Sequence, residues 1–169
     1  NVKPTMTIER EIEFFQFPLG VARSSVTLIA QGLHTFSIFL ILLMGCSGTL
    51  PESIGKFAPC PDKPNCVSSK SSLSLSKIDP LTYKGSPQEA KRKLLGIIKS
   101  MPHTRVAANR DNFIHVEFTS RIFGFVDDVE FFFEESWTIH FRSASRVGHS
   151  DMGVNRERME EIRRLFTAG

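Results

Sequence analysis

The sequence has little aromatic variety, few cysteines and no concentrated positive charge. Its 169 residues include one Trp, one Tyr and three Cys, although they also include 15 Phe. The formal net charge is +3, and the Lys and Arg residues are spread along the chain without a basic run. This charge is too small and too even for a nucleic-acid partner, and the chain lacks a polybasic membrane patch. We therefore expect no nucleic acid among its partners.

Familiar catalytic and cofactor-binding motifs are also missing from the sequence. It contains no nucleophile elbow, P-loop, HExxH motif or dinucleotide fingerprint. His115 and His140, with Glu117 or Glu130, would offer two imidazoles and a carboxylate to a divalent metal. No spacing in the sequence forces these side chains together. We therefore predict no metal site and no cofactor.

An apolar run long enough to span a membrane is missing as well. The segment FSIFLILLMG, residues 36–45, is almost wholly apolar, but it has about half of the roughly 20 residues that a spanning helix needs. Extending it back to Val26 adds polar residues. A short apolar run that ends in a small residue is typical of the hydrophobic region of a signal peptide.

The residues at the end of this run, Leu43-Met44-Gly45-Cys46, resemble the bacterial lipobox. The resemblance implies cleavage before Cys46 and diacylation of its thiol, and two acyl chains are enough for stable anchoring. The alternative is a buried Cys in a hydrophobic helix. The segment upstream is long for a signal peptide and carries three Glu within residues 9–13, so we expect the translation start to lie downstream, near Val21.

Composition divides the chain into three parts. Residues 1–45 are interpreted as a signal peptide with a mis-assigned upstream extension, and residues 46–77 as the lipidated Cys, a tether and a disulfide loop. Residues 78–169 are predicted to form the globular domain. Within the tether, SGTLPESIGKFA (residues 47–58) is polar and contains Gly and Pro, a composition typical of a flexible spacer.

Cys60 and Cys66 flank a Pro-rich turn, CPDKPNC. In an oxidising compartment such a pair is best interpreted as a disulfide, and the third Cys would then carry the lipid. The alternatives are a metal site and two free thiols. A zinc site needs four ligands, whereas only two Cys and no His lie close together in this stretch.

The globular part shows one helix followed by strands and a second helix. Ser86-Pro87-Gln88-Glu89 is a capping box with Pro at the first helical position, and apolar residues follow it at helical spacing up to Met101. Residues 105–109, 113–120, 128–134 and 138–146 predict strands, and a short edge strand is predicted over 78–83. Asn155–Phe166 is amphipathic. This pattern predicts an α+β fold with an antiparallel sheet of about four to five strands and two helices packed on one face.

Three stretches carry a family resemblance: CPDKPNCVSS, EFTSRIFGFVDDVEF and IHFRSASRVGHSDMGVNRERMEEIR. They are similar to the domain-of-unknown-function 1499 family and together run from about Cys60 to Phe166. The resemblance implies an envelope or organelle domain that is often lipid-anchored or membrane-attached. It implies no activity.

The polar face of the predicted sheet and the loops at its end supply the candidate ligand-binding residues. These are His115, Glu117, Arg121, Asp128, Arg142, Arg146, Asp151 and Arg156. One interpretation is a charged pocket for an anion, with Glu117 or His115 as a base. The alternative, favoured for most of them, is a solvated face with weak cross-strand ion pairs, while Asp151 or Asn155 caps the last helix.

Two functional hypotheses follow. The first is a non-catalytic binding or assembly domain held at a membrane by its lipid, with an envelope protein or a small anionic ligand as partner. The second is a hydrolase-type enzyme that uses the His/Glu/Arg face of the sheet.

The expected location is the bacterial cell envelope on the periplasmic side. Ser47 stands where the inner-membrane retention pattern has Asp, which favours the outer membrane.

Overall fold

The computed structural model describes residues 47–168, so the predicted signal peptide and Cys46 lie outside the described residues. Its elements in chain order are β1 (Cys66–Ser68), β2 (Leu81–Thr82), α1 (Pro87–Ser100), β3 (Thr104–Arg110), β4 (Phe113–Thr119), β5 (Val126–Glu134), β6 (Thr138–Ser145) and α2 (Val154–Ala168). Neither helix in this part of the chain has the length and apolarity needed to cross a bilayer.

One antiparallel sheet of six strands organises the described residues, in the order β1-β6-β5-β4-β3, with β2 also paired to β6. The four long strands follow one another in the chain as successive hairpins. The predicted α+β class, with two helices on an antiparallel sheet, is confirmed. The sequence pattern missed β1, which lies in the segment that we interpreted as a tether and disulfide loop.

Helix α1 begins and ends where the sequence predicts. Ser86 caps it by accepting a hydrogen bond from the backbone N–H of Glu89, whose carboxylate accepts one from the N–H of Ser86 in return. Met101 is extended because the residue before a proline is disfavoured in the helical region, and this ends the helix.

The core lies between the two helices and one face of the sheet. Alternation along each strand sends one set of side chains to this face, so β4, β5 and β6 line it with aliphatic and Phe side chains. The sheet contributes Ile114, Val116, Phe118, Val129, Phe131, Phe133, Ile139 and Phe141, and the helices contribute Ala90, Leu94, Ile98, Met159, Ile162 and Phe166. The opposite face therefore carries the charged residues of these strands, together with Phe113 and Phe132.

Cys60 and Cys66 form the predicted disulfide. Cys66 begins β1 and pairs with Ala144 on β6, so the bridge fastens the incoming chain to the edge of the sheet. The two Cys and Ala144 form a small buried cluster of their own.

Replacing Cys60 and Cys66 together by Ser should lower the free energy of unfolding by about 2 kcal/mol, because the open chain gains loop entropy when it unfolds. Urea unfolding followed by circular dichroism measures the change. A reductant should lower the stability of the wild-type chain by the same amount and leave the double variant unaffected. A variant as stable as the oxidised wild type would show that the bridge does not hold the fold.

Candidate functional site

Strand register gathers charged side chains on the sheet face opposite the core. Glu117 on β4 lies directly across from Asp128 on β5, and His115 lies across from Glu130. Two carboxylates in directly opposite positions repel one another and destabilise a sheet unless a cation lies between them. The local sequence therefore requires a positive partner at this position.

Arg146, just after β6, supplies that cation. Its Nη2 donates to Glu117 Oε1 at 2.6 Å and to Asp128 Oδ1 at 2.8 Å, and its Nε donates to Asp128 Oδ2 at 2.8 Å. The side chain is only 8% exposed, so these bonds are poorly screened. The hydrogen bonds to Asp128 raise the pKa of Arg146 above its usual range.

Two more residues complete what we name the charge network: Arg105, His115, Glu117, Asp128 and Arg146. Arg105 Nε donates to Glu117 Oε2 at 2.9 Å, and His115 Nε2 lies 2.7 Å from Asp128 Oδ1. Burial alone would raise the pKa of each carboxyl group, but their hydrogen-bonded partners lower both values: Arg146 and Arg105 act on Glu117, and Arg146 and His115 on Asp128. The network holds both carboxylates ionised.

Residues 47–60, which we name the N-terminal cover, contact this face of the sheet. A Cβ placed on Gly48 would come within 2.9 Å of the Val147 side chain. Gly55 N–H donates to Glu130 Oε1 at 2.6 Å, and the Phe57 ring packs edge-on against Phe132 with centroids 4.7 Å apart. The segment predicted to be a flexible spacer is thus part of the fold, because Phe57 and the Gly55 amide both find partners on the sheet.

The face is consequently buried, and our preference for a solvated face was wrong. Among its residues, His115 is 3% exposed, Asp128 1% and Glu130 0%. Arg142 is also buried and lies 3.6 Å from Glu130, but Arg142 Nε and Glu130 Oε2 have no hydrogen-bond partner within residues 47–168. Burial raises the pKa of Glu130 and lowers that of Arg142.

Three side chains of the charge network lie close enough together to be considered as metal ligands. Ligand atoms of His115, Glu117 and Asp128 lie within 4.8 Å of one another. However, the Arg146 guanidinium already holds oxygens of both carboxylates, and a second cation there would be repelled. His140 is not part of this group, since it contacts Ser69 and Glu134. These residues do not fit a metal ion.

The remaining predicted site residues lie apart from the network. Arg121 is exposed in the β4–β5 loop. Asp151 caps α2 by accepting from the backbone N–H groups of Gly153 and Asn155, each at 2.9 Å. Arg156 donates to the carbonyl oxygens of Leu75 and Lys77 and fastens the loop that precedes β2. The structure gives Asp151 and Arg156 structural roles.

Sequence reasoning missed Arg105. Near the turn of the β3–β4 hairpin Arg110 pairs with Phe113, and continuing that register would place Arg105 across from Phe118. A bulge between Val106 and Ala108 shifts the pairing by one residue and places Arg105 opposite Glu117. Asn155, the alternative predicted cap of α2, is fully buried and donates to Ser145, Asn65 and Asp151, and Asp151 is the residue that caps the helix.

The arrangement gives little room for catalysis. Both carboxylates of the charge network are committed to arginines, and the one His in it is bound to Asp128. Neither the cavity of about 400 Å³ beside Phe57 and Lys70 nor the larger one of about 730 Å³ beside Tyr83 and Lys93 is lined by any of the network residues. Fold and site together define an α+β domain whose charged sheet face is internally neutralised and covered.

Comparison with known proteins identifies the family. The family model described as protein of unknown function, DUF1499, matches residues 56–166, and the chain belongs to this family. The match covers the sheet, both helices and the disulfide. Searches of curated proteins and of solved structures found no match.

Replacing Arg146 by Ala should lower the free energy of unfolding by about 3–5 kcal/mol, because Glu117 and Asp128 would face one another in a buried setting without their cation. Urea unfolding provides the measurement. Arg105→Ala is the matched control: its side chain is 68% exposed, so its loss should cost about 1 kcal/mol or less. Equal, small effects of both changes would contradict the central position of Arg146.

Glu130 should make the fold less stable as pH rises. Its folded pKa is raised above 4.5 by burial, so above that pH the unfolded chain releases its proton first and unfolding is favoured. The free energy of unfolding of Glu130→Gln, measured by urea unfolding at a series of pH values, should therefore rise relative to that of the wild type as the pH increases above 4.5. Glu134→Gln should show the opposite sign, since Lys70 lowers the pKa of the exposed Glu134. An unchanged pH profile in Glu130→Gln would count against a buried, proton-binding Glu130.

Proposed function

We propose that this chain is an exported envelope protein, tethered by a lipid on Cys46, whose folded domain binds or assembles with other envelope components and does not catalyse a reaction. The observation that carries the proposal is that the charged face of the sheet is buried and its charges are paired with one another. The residues most suited to chemistry, His115, Glu117 and Asp128, are buried and bound to partners within the same sheet. Their contacts stabilise the fold by joining neighbouring strands.

The state of these groups disfavours the hydrolase alternative. A general base works best with a pKa near the operating pH, whereas hydrogen bonds from Arg146 lower the pKa of both Glu117 and Asp128 despite their burial. A substrate would also have to displace the N-terminal cover, which contacts Glu130 and Phe132.

The same geometry bears on the partner. A small anion would need several convergent cations, but the guanidinium of Arg146 is already shared between two carboxylates, Arg156 is bound to backbone carbonyls, and the exposed Arg121 lies apart from both. An envelope protein or the membrane itself is therefore the favoured partner. The disulfide between Cys60 and Cys66 supports an oxidising compartment such as the periplasm. The residue after the lipidated position, Ser47, favours the outer membrane.

Intact mass of the protein extracted from bacterial membranes tests the anchor. We expect a mature chain that starts at Cys46, with the added mass of a diacylglycerol and the mass loss of one disulfide. Cys46→Ala, expressed in the same host, should be neither cleaved at this position nor acylated. A mature chain that starts anywhere else would refute the lipid anchor.

A further inference from the structure

The β4–β5 loop carries exposed apolar side chains at its tip. Ile122 is 82% exposed, Phe123 65% and Phe125 40%. The loop is nevertheless closed by hydrogen bonds: Ser120 N–H donates to Phe125 O at 2.7 Å, and Gly124 N–H donates to Ser120 O at 3.2 Å. An ordered loop that presents three large apolar side chains together is unusual on a soluble surface and marks a contact site.

This loop lies at the end of the sheet where the chain enters the fold. Arg146 N–H donates to Val126 O at 3.0 Å, which places the end of β6 beside the base of the loop. Gly48 packs against the side chains of Arg146 and Val147 at the same place. The proposed lipid position, Cys46, precedes Gly48 by two residues, which span at most about 7 Å.

Composition of the loop suits a lipid surface. No acidic residue occurs between Phe118 and Val126, and Arg121 is exposed next to the apolar tip. A cation beside apolar side chains can keep its head at the phosphate level while the tip enters the acyl boundary. Near the same entry point Leu50 is 57% exposed.

A protein partner fits this surface less well. The three side chains expose roughly 400 Å² between them, about half of the roughly 800 Å² that each partner buries in a standard protein interface. They project from a loop of six residues between Thr119 and Val126, whereas a bilayer needs no shape complementarity.

We infer that Ile122, Phe123 and Phe125 insert into the interfacial region of a phospholipid bilayer beside the anchor. The inference rests on the proposed function for bringing the bilayer to this end of the sheet. Lipid and loop then form two attachment points, and the domain is held with its β4–β5 end towards the membrane. The opposite end, with the β5–β6 turn, points away from it.

The single Trp of the chain provides a matched control for the test. Trp137 is 61% exposed in the β5–β6 turn, and β5 separates it from the loop by about 25 Å. In the double variant Phe123→Trp, Trp137→Phe, the only indole lies at the loop tip. The full chain, extracted from membranes, is reconstituted into phosphatidylethanolamine–phosphatidylglycerol vesicles with and without brominated acyl chains.

The indole introduced at position 123 should show blue-shifted emission and lose at least about half of its intensity to bromine, while wild-type Trp137 should keep its emission. Ile122→Trp, Trp137→Phe repeats the measurement if the first variant does not reach the wild-type circular dichroism spectrum. Equal quenching at both ends, or none at the loop, would overturn the inference.

Intact mass of each sample separates this inference from the lipid anchor. Acylated Cys46 with an unquenched loop would refute the insertion and leave the anchor in place. A quenched loop on a chain without acyl mass would refute the anchor and support the insertion, since loop and lipid are measured independently.

Discussion

The fold depends on a positive charge held between two carboxylates. Glu117 and Asp128 lie opposite one another on the central strands, and Arg146 bridges them. Because Arg146 follows β6, this contact also ties the end of β6 to the middle of the sheet and completes a network that joins β3, β4, β5 and the end of β6. The carboxylates could not be buried at this depth without it.

Burial and charge reinforce one another on this face. The low exposure of Asp128 and Arg146 strengthens their ion pair, and on the same face Glu130 provides the carboxylate that holds the Gly55 amide of the N-terminal cover in place. Burial of this face is unfavourable at Glu130 and Arg142, since each keeps a polar atom without a hydrogen-bond partner among residues 47–168. A face that looks like an active site by composition is thus a second, polar interior of the domain.

Local signals predicted most of the architecture. The capping box at Ser86, the alternation along β4 to β6 and the pairing of Cys60 with Cys66 each depend on residues close in sequence, and all are present. What could not be predicted is non-local. The bulge that places Arg105 opposite Glu117 cannot be recognised from the hydrophobic pattern. The sequence of a polar segment such as residues 47–60 likewise does not indicate which face of the sheet it will contact. Four of the five network residues were predicted from the sequence, whereas Arg105 and the burial of the network were not.

The N-terminal cover also sets an order of events in folding. The strands from β3 to β6 join as neighbouring hairpins, so their contacts close short loops, whereas the bond from Gly55 to Glu130 closes a loop of 75 residues. The first part of the domain to be synthesised therefore has to wait for the last strands before it can dock. In a chain fixed at its amino end, the segment nearest the anchor would be the last to reach its native place.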